Sequence, residues 1–300
     1  MSSGLVLLTD ALHKVEGGGF ALHPALIDWR RQLAARRRQW FLCTDNNPLG
    51  WYAALVDASP AALLAARCPD LPANARQAWV ASPYHAIMGR ETVRVLPEVD
   101  LPWSEADSTW LCAELNPLLE QEGMSLHACG AAMLLASHVP LDAAPGPFAA
   151  IAGNLLPNRH PEGVDGGRLM RLLSEIQMTL HDKSQPTRQG QPVVHGLWFW
   201  GACDMTCELP VGLPPVATLN PALQSLHHEH GANIIISEAE RLPALLSSGR
   251  LPHTVLLAGS GHAVLLHKAL LPRFREGWRA GYPASESDLF VRLRRLADAA

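Results

Sequence analysis

Residues 172–203 read LLSEIQMTLHDKSQPTRQGQPVVHGLWFWGAC, and the three parts of this stretch decide the fold. Leu169, Leu172, Leu173, Ile176 and Leu180 recur at helical spacing on one narrow face behind Asp165, a residue suited to N-capping. The first part therefore predicts an amphipathic helix packed on a sheet. A polar loop follows. The run VVHGLWFW at 193–200 has almost no polar alternation, the pattern of a strand buried on both faces.

Downstream, apolar runs at 216–219, 233–236 and 254–258 alternate with helical patterns, one capped by Asn220-Pro221 and one over 238–246. Strands alternating with helices predict a parallel sheet. Gly259-Ser-Gly-His262 joins two apolar runs as a hairpin, and Ser285 with Asp288 caps a last helix that buries Leu289, Leu293 and Leu296. Upstream, LVLL at 5–8 reads as the first strand, and Pro24 suits the first turn of a helix. Between these regions lie strands at 77–82 and 92–96, a helix opened by a Ser104/Asp107 capping box that Pro117 should kink, and a hairpin of 124–129 with 132–137. The expected fold is α/β, with a mostly parallel central sheet flanked by helices and an embedded β-β-α-β-β unit. One domain is expected over 1–300, with residues 75–140 as an embedded α+β subdomain.

Hydrophobic residues make up 48% of the 300 positions and charged residues 17%, enough for a large core and incompatible with a disordered chain. The net charge of -4 supplies no general basic field, so nucleic acid is not expected as a partner. Five arginines crowd residues 30–38 between Trp29 and Trp40, and the stretch reads as one helix with a solvated face. A phosphate or acidic-partner patch is the other reading of that helix. No apolar run approaches the ~20 residues that span a bilayer, so no membrane partner is expected. The first strand lacks a cationic leader, which points to the cytoplasm. The six cysteines are scattered and read as reduced thiols. Cys203 and Cys207 are four apart with no second pair nearby, so they read as small buried residues rather than as a metal or redox pair.

No Gly-x-x-x-x-Gly-Lys or Gly-x-Gly-x-x-Gly loop stands at a strand-to-helix turn, and no Gly-x-Ser-x-Gly elbow is present. No serine or cysteine sits in a setting that suggests activation by a base. His227, His228 and His230 are the densest run of metal-ligand types, but they also suit the C-terminal end of a helix dipole. Asp10 lies just beyond the first strand, where open α/β folds place functional groups, with His13 three residues on. Glu175, Gln177, His181, Arg188 and His195 gather around the loop of the 172–203 stretch. Arg188 is suited to bind a carboxylate or phosphate bidentately, with Gln177 and Glu175 beside it as ligand contacts. His181 or His195 would handle protons. No cofactor and no metal are expected.

The same stretch resembles a bacterial family described as regulatory proteins of the Rpf E type or as phosphoglycerate mutase-like proteins. Ser174-Glu-Ile-Gln-Met-x-Leu-His181 and Leu197-Trp-Phe-Trp-Gly201 carry the resemblance, with Arg188 and Gly190 at compatible places. Weaker similarity runs through Trp79-Val-Ala-Ser-Pro-Tyr-His-Ala, 111–123 and 151–157. The resemblance implies an α/β scaffold distantly similar to cofactor-independent phosphoglycerate mutases and the alkaline phosphatase superfamily. Those enzymes use two metal ions and a serine or threonine nucleophile. This chain departs from the pattern. Lys183-Ser-Gln-Pro replaces a His-Pro-Val-Asn core, His195 stands where asparagine is usual, and Ala202-Cys203 replace two glycines. Of the aspartates such a metal site would require, Asp10 alone is well placed. The expected role is non-catalytic, in regulation or binding, with a small anionic ligand or a protein as partner. The alternative is an enzyme acting on a small phosphorylated or carboxylated metabolite.

Overall fold

The computed structural model describes the chain apart from residues 1–3, 45, 90–91, 97–100, 158, 182, 207, 209–211, 228, 230, 247–248, 270–276 and 298–300. In chain order the elements begin β1 (Leu5–Thr9), β2 (Leu12–Val15), β3 (Gly19–Leu22), α1 (Arg30–Ala34), β4 (Arg37–Leu42), α2 (Pro48–Leu55) and α3 (Pro60–Ala65). There follow β5 (Gln77–Tyr84), β6 (Ala86–Met88), β7 (Val93–Val95), α4 (Glu105–Leu119), β8 (Met124–Cys129), β9 (Ala132–Ser137), α5 (Phe148–Ile151), α6 (Gly166–His181) and β10 (Gly196–Asp204). The last are β11 (Val216–Ala217), α7 (Pro221–His227), β12 (Ile234–Glu238), α8 (Leu242–Leu245), β13 (Thr254–Gly259), β14 (His262–His267) and α9 (Glu286–Ala297). The chain divides into two compact units, Met1–Asp57 with Pro210–Ala300, and Ala58–Leu209. The stretch 75–140 lies inside the second unit, whose contacts continue to Leu209. Among the described residues no helix is long and apolar enough to cross a membrane.

The first unit holds a six-stranded sheet in the order β11-β12-β1-β13-β14-β4. The first four strands are mutually parallel, and β14 and β4 add antiparallel at one edge. Every residue of β1, β12 and β13 is buried, as expected of parallel strands covered on both faces. Val6, Leu8, Leu26, Trp29, Val255 and Leu257 belong to a core on one side of this sheet. The hairpin read at Gly259-Ser-Gly-His262 is present. Its two loop residues, Ser260 and Gly261, both take positive φ, the geometry whose twist matches the flanking strands.

The arginine-rich stretch is not one helix. After α1 the chain extends from Arg37 into β4, pairing with β14. Extension buries Trp40 and Phe41 and satisfies the backbone of the sheet edge, which outweighs the helix propensity of Arg, Gln and Ala.

The second unit is built on an antiparallel sheet, β10-β5-β9-β8. The capping box is present: Ser104 Oγ accepts from Asp107 N, and the Asp107 carboxylate accepts from Ser104 N. Pro117 does not end α4, which runs to Leu119. On α6 the predicted stripe of Leu169, Leu172, Leu173, Ile176 and Leu180 is buried. Residues 196–200 of β10 are all buried, so both faces are covered as the sequence predicts. Yet β10 is an edge strand of an antiparallel sheet, because continuous apolar character reports burial and not strand direction. A bulge interrupts its pairing with β5 after Trp200. There Gly201 takes φ +60, and a Cβ would meet the Pro60 ring at 2.9 Å, so only glycine fits.

One expectation about the cysteines is overturned. Cys68 and Cys129 form a disulfide with Cα atoms 5.2 Å apart. Their proximity across 61 residues comes from tertiary packing that spacing does not reveal. Burial pushes the Cys112 thiol up to about 11. Cys207 lies outside the described residues, so its pairing with Cys203 does too.

Candidate functional site

In the second unit, antiparallel pairing of β10 with β5 sets Gly196 opposite Tyr84 and brings the residues flanking the strand ends together. Tyr84 is 1% exposed, and its hydroxyl accepts a hydrogen bond from the Gln177 side chain on α6. Burial raises the phenol's pKa, and the Gln177 bond opposes that shift. The phenol fits because residue 196 is glycine: a Cβ there would lie 2.5 Å from the hydroxyl and 2.7 Å from the ring carbon bearing it.

Beside Tyr84, the rings of His85 and His195 lie 4.6 Å apart, tilted by 55°. Their main-chain bonds fix their chemistry. His195 Nδ1 accepts the Ala86 N–H at 3.0 Å, so the ring is the Nε2–H tautomer and Nδ1 cannot also carry a proton. Burial lowers the His195 pKa, and the charges of His85 and His181 lower it further. His85 Nδ1 donates to the Val193 carbonyl at 2.8 Å, leaving its Nε2 as an acceptor. The pair thus presents one ring N–H and one ring lone pair. Burial disfavours the charged form of His195, which presents its Nε2–H as a donor.

Of the residues singled out from sequence, Gln177, His181 and His195 are brought into this neighbourhood, while Glu175 stays exposed on α6. Arg188 is turned inward, at 3% exposure. Its Nε donates to the Pro192 carbonyl at 2.7 Å, and Nη1 donates to the Pro102 carbonyl at 2.8 Å and lies 3.3 Å from Asp107 Oδ2. Nη2 is buried without a hydrogen-bond partner, and the guanidinium lies over the Trp103 ring. Burial raises the Asp107 pKa, but hydrogen bonds from Ser104 and Thr187 and the charge of Arg188 outweigh it and hold the carboxyl below its usual value. Tyr84 and His85 escaped the sequence reading. The signal that could have found them is the register that sets the Pro83-Tyr-His85 segment against 195–197.

In the first unit the parallel strands end at a second cluster. Asp10, just past β1, takes φ +53 and exchanges two hydrogen bonds with Asn46: its Oδ1 accepts from Nδ2 at 2.6 Å, and its N–H donates to Oδ1 at 3.1 Å. Burial raises its pKa; Asn46 opposes this, the charge of Glu238 adds to it, and His13 and His23 oppose it. Glu238 ends β12 at 7% exposure, with Arg241 Nε 3.7 Å from Oε2 and Asn220 donating to Oε1 at 3.4 Å. The hydroxyls of Thr9 and Ser237 are buried without partners.

Among the described residues, the donor set around Asp10 does not make the two-metal centre that the family resemblance implies. Asp10 Oδ1 is held by Asn46, and His23 Nδ1 accepts from Ala25 N. Among the described residues no three His, Cys, Asp or Glu side chains are placed to hold an ion. His228, His230 and the side chain of His227 lie outside the described residues. In the arginine-rich stretch, Arg36 donates to the carbonyls of His253, Leu251 and Pro252, and Arg38 donates to Gly277 and covers the Trp278 ring. Both arginines therefore tie the chain together instead of facing a partner.

No family model matches this chain, and no curated protein matches it. Among solved structures, it is similar to a cofactor-independent phosphoglycerate mutase from Thermoplasma acidophilum DSM 1728, with 11% identity, 99% of this chain and 100% of that chain covered, and a TM-score of 0.37. It is also similar to the PH0037 protein from Pyrococcus horikoshii, with 10% identity, 99% and 97% coverage, and a TM-score of 0.43.

Proposed function

We propose that this chain is a binding or regulatory protein that contacts a small anionic ligand through the Nε2–H of His195, beside His85, and does not perform mutase or phosphatase chemistry. The observation that carries this reading is the engagement of Arg188. The side chain suited to clamp a phosphate or carboxylate is buried against two carbonyls and Asp107, where it holds α4 to the loop before β10. The His195 tautomer supports the same reading, because a ring whose Nδ1 faces a backbone N–H donates a hydrogen bond from Nε2. Titration of the full chain with inorganic phosphate and with 3-phosphoglycerate, followed by the imidazole C–H resonances, tests it. His85 and His195 should shift, His195→Ala should abolish the response, and added Mn²⁺ or Zn²⁺ should produce no turnover. Turnover of phosphoglycerate would overturn the reading.

Asp10 favours a second reading, an enzyme acting on a small phosphorylated or carboxylated metabolite. A carboxyl with a raised pKa at the end of a parallel strand is placed for acid–base work. Product formation lost in Asp10→Asn would establish it.

A further inference from the structure

Ser125 and His127 project from the same face of β8, two residues apart on an edge strand of the antiparallel sheet. Ser125 Oγ and His127 Nε2 are 2.7 Å apart. Both line a cavity of about 350 Å³ that Asn116, Glu120 and His138 also border. Spacing alone does not single out this serine in the sequence; alternate strand positions make Ser-x-His a contact pair once β8 is recognised as a strand.

The support beneath the pair is specific. Leu126 lies between them, and the Asn116 side chain on α4 engages both of its main-chain polar groups. Asn116 Oδ1 accepts from Leu126 N at 2.6 Å, and Nδ2 donates to Leu126 O at 3.1 Å. The amide acts as a short surrogate strand that fixes the edge on which Ser125 and His127 stand. Burial holds the His127 pKa below its ordinary value, opposed by the carboxylate charge of Asp70, so the ring is neutral at pH 7 and able to accept a proton. Neutral imidazole within hydrogen-bond reach of a hydroxyl is the arrangement that activates a serine.

We propose that Ser125 is a nucleophile activated by His127, taking the acyl group of a small ester bound in this cavity. Ser125 Oγ forms a bond to the ester carbonyl carbon as its proton passes to His127 Nε2. The carbonyl–alkoxy bond breaks, and His127 returns the proton to the departing alcohol. Water, deprotonated by His127, then cleaves the acyl-serine, releasing the carboxylic acid and restoring the hydroxyl. Ester and water are consumed, and acid and alcohol are formed. The carboxylate of Glu120 at the cavity disfavours anionic acyl groups, so the substrate class is an uncharged or cationic ester.

The test is labelling of the full chain with an uncharged fluorophosphonate, the adduct being located by peptide mass spectrometry, alongside hydrolysis of p-nitrophenyl acetate. Ser125 should carry the adduct when the folded protein is labelled, and none when the protein is denatured before the reagent is added. Ser125→Ala should remove the adduct, and His127→Gln should slow labelling about 100-fold. Asn116→Asp, which keeps one of the two Leu126 contacts, should slow it less. Each variant is compared at equal folded fraction by circular dichroism. No adduct at Ser125 in the folded wild type, or equal labelling in His127→Gln, overturns the proposal without touching the anion-binding reading of His85 and His195.

Discussion

The Arg188–Asp107 pair of the second unit and the Asp10–Glu238 pair of the first are both buried charge, and their pKa directions are opposite. Asp107 is held below its usual range because hydrogen bonds and a guanidinium outweigh its desolvation. Asp10 is pushed up because Asn46 and two histidines do not offset burial and a second carboxylate. The pair with complementary partners is architecture. Asp10, whose desolvation is reinforced by the charge of Glu238, carries a raised pKa, a pattern found where a protein holds a group for use.

The largest test of this contrast is Arg188→Ala. It leaves Asp107 buried without its cation and strands two carbonyls, so it should destabilise the protein by about 3–5 kcal/mol in denaturant unfolding. A stability change near zero, with loss of anion binding instead, would make Arg188 a ligand residue and break the comparison. Gly196→Ala comes next. Its Cβ would drive into a Tyr84 side chain that has nowhere to move, at a cost of about 1–3 kcal/mol, and Tyr84→Phe in the same chain should recover part of that loss.

Asp10→Asn sharpens the other side. A folded-state pKa raised above the unfolded value favours the protonated form, so the ionised carboxyl costs stability at every pH above both values. The variant keeps an acceptor for Asn46, and Asn tolerates the positive φ. It should raise stability at pH 7 by on the order of 1 kcal/mol, with the gain shrinking as the pH falls towards 4. Thermal melts across that range check the sign. The smallest expected effect belongs to His195. Its folded pKa is lowered, so the unfolded chain binds the proton more readily. Its contribution is therefore present above the ordinary imidazole range and lost as the pH falls below about 6.5. His195→Gln should flatten the decline in melting temperature between pH 7.5 and 5.5, while His127 and His267, whose pKa values are also lowered, preserve part of it.

What could be read in advance followed the local physics. The α6 stripe, the Ser104 capping box and the Ser260-Gly261 hairpin each rest on a periodicity or a short motif that acts within a few residues. The sheet containing β10 was not legible, because an unbroken apolar run reports burial and not the direction of its neighbour. The roles of Arg188 and His195 were hidden for a related reason. Residue type gave their chemical capacity, but main-chain atoms that pairing brings up from Pro102, Pro192 and Ala86 decide how it is used. Ser125 and His127 were legible in principle, since alternation along a strand makes neighbours of residues two apart.

The interruption of the first unit by Ala58–Leu209 has a consequence for biosynthesis. β1 is made before the second unit, yet both of its partners, β12 and β13, are made after it. A nascent chain therefore holds an apolar, all-buried strand with nothing to pair with while the second unit emerges whole. The second unit can complete its sheet first, and the earlier strand must be kept from aggregation until β12 and β13 arrive to enclose it.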